Sequence, residues 1–154
     1  MNIGIIIHSK TDHTYSAALK LQEKLISKNH KVNIEKVTPA GDAYPGVKNL
    51  QLETNPEVSA YDGLIFAAPV WAFALSPVMA TYLSGISSLK GKTLAAFVTM
   101  GFPFTWMGGK RSLKQLKESC EVKGGTVIAA DVLTRSAQDQ KIVSTMVEKL
   151  SGVF

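Results

Sequence analysis

The chain has 154 residues, 45% hydrophobic and 19% charged, which excludes disordered, collagen-like and low-complexity classes. A single domain of this length buries about 68–70% of its unfolded surface and needs no disulfide or metal to hold it. The net charge is +5, a basic balance that raises nucleic acid, a membrane surface or an acidic partner as candidates.

The elements alternate along the chain. Ile3–Ile7 is a short apolar run, expected as a strand buried on both faces. A polar stretch, Ser9–Thr14, leads to a helix from about Thr14 to Lys28, with Ala17, Ala18, Leu21, Leu25 and Ile26 on its apolar face. Asn29-His30 closes it, and Lys31–Val37 reads as an edge strand with Val32, Ile34 and Val37 on one side. Thr38–Tyr61 holds Pro39, Gly41, Pro45, Gly46 and Pro56 without periodicity. Asn55-Pro56 is expected to open one helical turn through Ala60. A loop this long is uncommon in a compact domain and is often functional.

Asp62–Ala68 is a third strand that Pro69 is expected to end. Ser76-Pro77 caps a helix to about Leu83. Thr93–Met100 is a fourth strand, Lys110–Lys123 a helix with Leu113, Leu116 and Cys120 inward, Thr126–Leu133 a fifth strand and Ser136–Leu150 a final helix. Five strands alternating with helices describe one α/β domain over residues 1–154, an open, doubly wound parallel sheet. Ligands of such sheets bind beyond the carboxyl ends of the strands. That selects three loops: Ser9–Thr14, Pro69–Leu75 and Gly101–Gly109.

The first loop offers hydroxyls and backbone N–H groups at a helix start, an arrangement suited to phosphate. Helix capping by Thr11 or Asp12 explains the same residues equally well. No GxGxxG and no GK[ST] accompanies it. The other two loops are rich in aromatics: Trp71, Phe73, Phe102, Phe104 and Trp106. As a set on the ligand edge of a sheet they favour a flat apolar ligand over mutual burial. A phosphate cradle beside an aromatic slot describes a flat heteroaromatic with a phosphorylated tail.

With these residues in view, the chain resembles the flavodoxin family over nearly its whole length. Ser9-Lys10-Thr11-Asp12-His13-Thr14 resembles the family's phosphate loop. Tyr61–Trp71 resembles its third strand and first flavin loop, and Ser76–Leu83 the helix that follows. The resemblance implies strand order 2-1-3-4-5 and non-covalent FMN. Ser9, Thr11 and Thr14, with the N–H groups of Asp12 and His13, would hold the phosphate, Lys10 beside them. Pro69, Val70, Trp71, Ala72 and Phe73 would line one side of the ring system, with Trp71 stacking. Thr99, Met100, Gly101, Phe102, Trp106, Gly108 and Gly109 would line the other.

Two positions depart from the family pattern. Asp12 stands where the family has glycine, and its carboxylate would oppose a phosphate, with His13 or Lys10 offsetting it. Ala72 stands in a loop that has no glycine, and it is expected to resist positive φ by about 1 kcal/mol or more.

The resemblance makes an FMN-binding electron-transfer protein the leading reading, with a redox partner protein or a small-molecule acceptor. An NAD(P)H-dependent flavin or quinone reductase is the nearest alternative, and a flavin-free binding module of the same fold is a further one. A homodimer is compatible with each. A hydrolase or metal enzyme built on His8, Asp12 and His13 lacks a third ligand and a nucleophile elbow.

Cys120 is the only cysteine, no apolar run reaches the about 18–20 residues of a membrane span, and the start has no signal-peptide pattern. A cytoplasmic protein with neither membrane nor nucleic acid as partner is expected. The charge is uneven: residues 1–62 carry 7 Lys and 7 acids, whereas residues 63–154 carry 8 Lys and 2 Arg against 5 acids. Lys110, Arg111, Lys114 and Lys117 form a basic stripe in the latter part. Flavodoxins resemble acidic carriers that dock to basic partners, so the reversed sign here implies an acidic or neutral partner face or small-molecule exchange.

Overall fold

The central strands of the sheet are continuous apolar runs because helices cover both of their faces, whereas the edge strand Lys31–Lys36 alternates. The computed structural model describes residues 1–10, 12–134 and 140–154. Strands β1 (Asn2–Ile7), β2 (Lys31–Lys36), β5 (Gly63–Trp71), β7 (Thr93–Thr99) and β8 (Val127–Leu133) are ordered β2-β1-β5-β7-β8. Every pair on that path is parallel. This is the expected order of the five main strands. Two short antiparallel additions accompany them. β6 (Ala74–Leu75) folds back on β5, and β3 (Thr38–Pro39) pairs with β4 (Leu52–Thr54).

The period-2 alternation of the strands divides the core into two layers. Ile3, Ile5, Ile7, Ile65, Ala67, Ala95 and Phe97 face α1 (Asp12–Ser27) and α4 (Gln140–Ser151). Ile6, Leu64, Phe66, Ala68, Leu94, Ala96 and Val98 face α2 (Pro77–Gly85) and α3 (Gly109–Val122). Each fully buried large apolar side chain contributes about 1.5–3 kcal/mol. Gly4 makes room for the Tyr61 ring, since a Cβ there would lie 2.8 Å from it.

Several sequence expectations are corrected. Asn55-Pro56 opens no helical turn. The carbonyl of Pro56 instead accepts the Tyr82 hydroxyl at 2.7 Å, and the segment closes in a turn whose Tyr61 N–H donates to Val58. Pro69 does not end its strand. The N–H of His8 donates to Ala67, so position 69 points its backbone to the same side, beyond the end of β1, where a missing N–H costs nothing. Val37 faces the α2–α3 layer, opposite Val32, because an odd offset reverses the face. Ile26 is exposed rather than inward, one position past the stripe that Leu21 and Leu25 bury. The expected start of the last helix at Ser136 lies outside the described residues.

Candidate functional site

The chain leaves β1 for β2 on one side and returns to β5 on the other, so the switch point of the sheet lies between β1 and β5. His8 and the start of α1 follow β1 there. The β5–β6 hairpin rises beside them, and Met100 to Gly109 leave the end of β7 next to it.

At the first loop, Lys10, Asp12 and His13 are exposed, and Ser9 is half-buried. Thr11 lies outside the described residues. Thr14 is buried, its hydroxyl within 2.8 Å of the Thr99 hydroxyl, which ties the first turn of α1 to the end of β7. The first-turn N–H groups of a helix have no intrahelical partners and carry the positive end of its dipole. A cavity of about 390 Å³ opens against this turn, lined among others by Asp12, His13, Lys20, Thr99, Met100 and Thr134.

The second loop is a tight hairpin. Val70 pairs with Leu75 and Trp71 with Ala74, leaving Ala72 and Phe73 as a two-residue turn with φ of +48° and +64°. A two-residue hairpin favours this left-handed pair because its twist matches the strands. Ala72 nevertheless adopts positive φ, because the strand pairing imposes it against the cost expected of a non-glycine residue. The Leu75 N–H, donating to Gln115 Oε1 at 2.9 Å, ties the returning strand to α3.

Trp71 meets the edge of the buried His8 ring at 5.1 Å, and the Lys10 ammonium lies 5.4 Å from the indole centroid. Nδ1 of His8 lies 2.6 Å from Oγ of Ser76, the N-cap of α2. Burial first, and the Lys10 charge second, push the pKa of His8 down to about 4.

The third loop carries exposed aromatics in stacked pairs. Phe102 stacks on Phe73 of the hairpin at 5.6 Å with the planes 8° apart, and Phe104 stacks on Trp106 at 5.9 Å. Trp106 is 73% exposed, so the pairs coat the surface rather than form a loop core. Gly108 has φ of +103°, and a Cβ on it would sit 2.5 Å from Cα of Phe73. Gly109 is equally confined, with Val132 at 2.6 Å and Met100 at 2.8 Å from the position of a Cβ.

The structure thus brings Asp12, His13, Thr99 and Met100 around one cavity, with Thr14 tied to Thr99, and sets Lys10 against Trp71. It also brings Phe73 of the hairpin against Phe102 and Gly108. Sequence reasoning missed Tyr44 and Pro39, which join His8, Lys10 and Trp71 around a second cavity of about 420 Å³. The length of the irregular segment 38–61 was the available signal. Among the described residues, no three His, Cys, Asp or Glu side chains are grouped to hold a metal, and no helix is long and apolar enough to cross a membrane.

No protein-family model matches the chain, and no curated protein sequence matches it. Solved structures do. Oxidised Flavodoxin 2 from Bacillus cereus matches with a TM-score of 0.75 and 18% identity, over 99% of this chain and 97% of that one. Flavodoxin from Fusobacterium nucleatum bound to flavin mononucleotide matches with a TM-score of 0.64 and 15% identity, over 98% and 95%. A flavoprotein from Lactobacillus acidophilus in complex with FMN matches with a TM-score of 0.62 and 18% identity, over 91% and 97%. The fold of this chain is flavodoxin-like.

Proposed function

We propose that this chain binds FMN at the carboxyl edge of its sheet and works in electron transfer. The observation that carries the reading is the convergence, at the switch point, of the α1 start with two aromatic loops stacked on each other. The neighbours of this fold that hold FMN support it.

The donor set suits the group at its phosphate end. First-turn N–H groups of α1, with Ser9, Lys10 and His13, supply dipole, hydroxyl and cation, and the adjoining cavity supplies room. Asp12 opposes the phosphate and lowers affinity. At the ring end, Trp71, Phe73 and Phe102 supply apolar faces, and Gly108 keeps the third loop close to the hairpin. FMN supplies the redox chemistry when bound. The chain's residues would bind it, with the exposed Phe73, Phe102, Phe104 and Trp106 available to cover the ring.

The test is to mix purified protein with FMN, remove free flavin by gel filtration and record the visible spectrum. Flavin absorbance co-eluting with the protein supports the reading, and colourless protein overturns it in favour of a flavin-free binding module. NADPH is then added to the loaded protein. A carrier leaves the flavin band in place, whereas steady bleaching assigns the chain to the reductases.

A further inference from the structure

The cavity on the far side of Trp71 has a chemistry of its own. Its volume of about 420 Å³ falls within the range of small-molecule sites, about 300–1,000 Å³. Val37 and Pro39 give it apolar walls, and Trp71 and Tyr44 give it aromatic ones. Tyr44 is 56% exposed, so its ring is presented rather than consumed by the core. The segment 38–44, which has no role in the main sheet, builds this wall after β3.

The polar groups of the cavity follow from hydrogen-bond accounting. Ser76 is fully buried, and its oxygen already receives the Met79 N–H at 3.4 Å. Its own proton needs an acceptor, and Nδ1 of His8 at 2.6 Å is the one within reach among the described residues. Ser76 therefore donates to Nδ1. The imidazole, kept neutral by burial and by Lys10, carries its single proton on Nε2. His8 and Lys10 both line the cavity, the one with this N–H as its free donor group and the other with an ammonium. Asp42 stands on the exposed side of the lining.

From this pairing of two donors with flat apolar walls, we propose that the cavity is a binding site for a planar aromatic carboxylate. The carboxylate accepts from Nε2 of His8 and from Lys10, and the ring lies among Trp71, Tyr44 and Pro39. An acceptor-only anion matches a donor-only pair, and charge assistance strengthens both bonds. Lys10 and Trp71 are shared with the proposed flavin site, but the donors and walls of this cavity are present without FMN, so the inference does not rest on the flavin reading.

The test is calorimetric titration of the full chain with 2-naphthoate, with 2-naphthamide and decanoate as controls, each with and without added FMN. Naphthoate is expected to bind one to one and at least about tenfold more tightly than either control. Lys10→Met and Tyr44→Ala change exposed side chains and are each expected to weaken it about tenfold. His8→Gln, which keeps a neutral N–H donor, is expected to hold affinity better than His8→Leu. Phe73→Ala and Phe102→Ala are expected to leave naphthoate binding unchanged. Three outcomes overturn the proposal: no heat at millimolar naphthoate, affinity unmoved by Lys10→Met and Tyr44→Ala, or loss of binding in Phe73→Ala and Phe102→Ala, which would put the probe in the aromatic loops. Naphthoate binding without FMN binding would sink only the flavin reading, and the converse only this one.

Discussion

At the scale of single residues, His8 links fold and pH. Its pKa in the folded chain is about 4, against an ordinary 6.5. Between those values the unfolded chain binds a proton that the folded chain refuses, so stability rises with pH across that window. The contribution is complete above about pH 6.5 and declines as pH falls toward 4, by about 2 kcal/mol at pH 5. Urea unfolding of wild type and His8→Gln at pH 7 and pH 5 isolates it from the carboxylates. The wild type is expected to lose about 2 kcal/mol more than the variant, and parallel losses would refute the assignment. Gly108 is a second sensitive position. At φ of +103° with Cα of Phe73 at 2.5 Å from any added Cβ, Gly108→Ala must push the hairpin away. A loss of at least about 2 kcal/mol in denaturant unfolding is expected. Cys120 is the quiet residue: burial pushes its thiol up to about 12, which keeps it protonated and unreactive.

At the scale of elements, α3 is built against its own dipole. Its first turn carries Lys110 and Arg111 and no acid. Arg111→Glu is expected to raise stability by about 0.3–1 kcal/mol at low salt, a gain that screening removes at high salt. Thermal unfolding at two ionic strengths checks it, and destabilisation at low salt would show that Arg111 has a structural partner. The same scale explains what the sequence could show. The strands around Ile3–Ile7, Leu64–Ala68 and Leu94–Val98 were legible because continuous apolar runs have one use in a doubly wound sheet. β3 and β4 were not, because two- and three-residue strands carry no periodicity. They are held by the Thr54 hydroxyl, which receives the Thr38 N–H at 2.9 Å and donates to the Lys36 carbonyl at 2.7 Å. The hairpin was hidden for a different reason. Pro69 reads as a strand end, and Ala72-Phe73 lacks the Asn-Gly signal of a left-handed turn, so the geometry comes from pairing alone. The aromatics of the site were legible as a set, but their pairing was not. Phe73 with Phe102 and Phe104 with Trp106 are side-chain choices that composition leaves open.

At the scale of the whole molecule, charge and site lie together. The excess of +5 falls in residues 63–154, which contain both aromatic loops and the exposed cations at the start of α3. An acidic partner docking there is expected to associate more slowly as salt rises, and stopped-flow rates insensitive to ionic strength would remove the electrostatic part of that expectation. The central claim is more direct: the α1 start takes a phosphate, and the aromatic loops take the ring attached to it. Flavin fluorescence, titrated with the protein using FMN and riboflavin in parallel, measures both halves at once. The account predicts saturable one-to-one quenching, with FMN bound at least about tenfold more tightly than riboflavin because only FMN reaches the helix start. Flavin fluorescence left unquenched, or equal affinity for the two flavins, would contradict it.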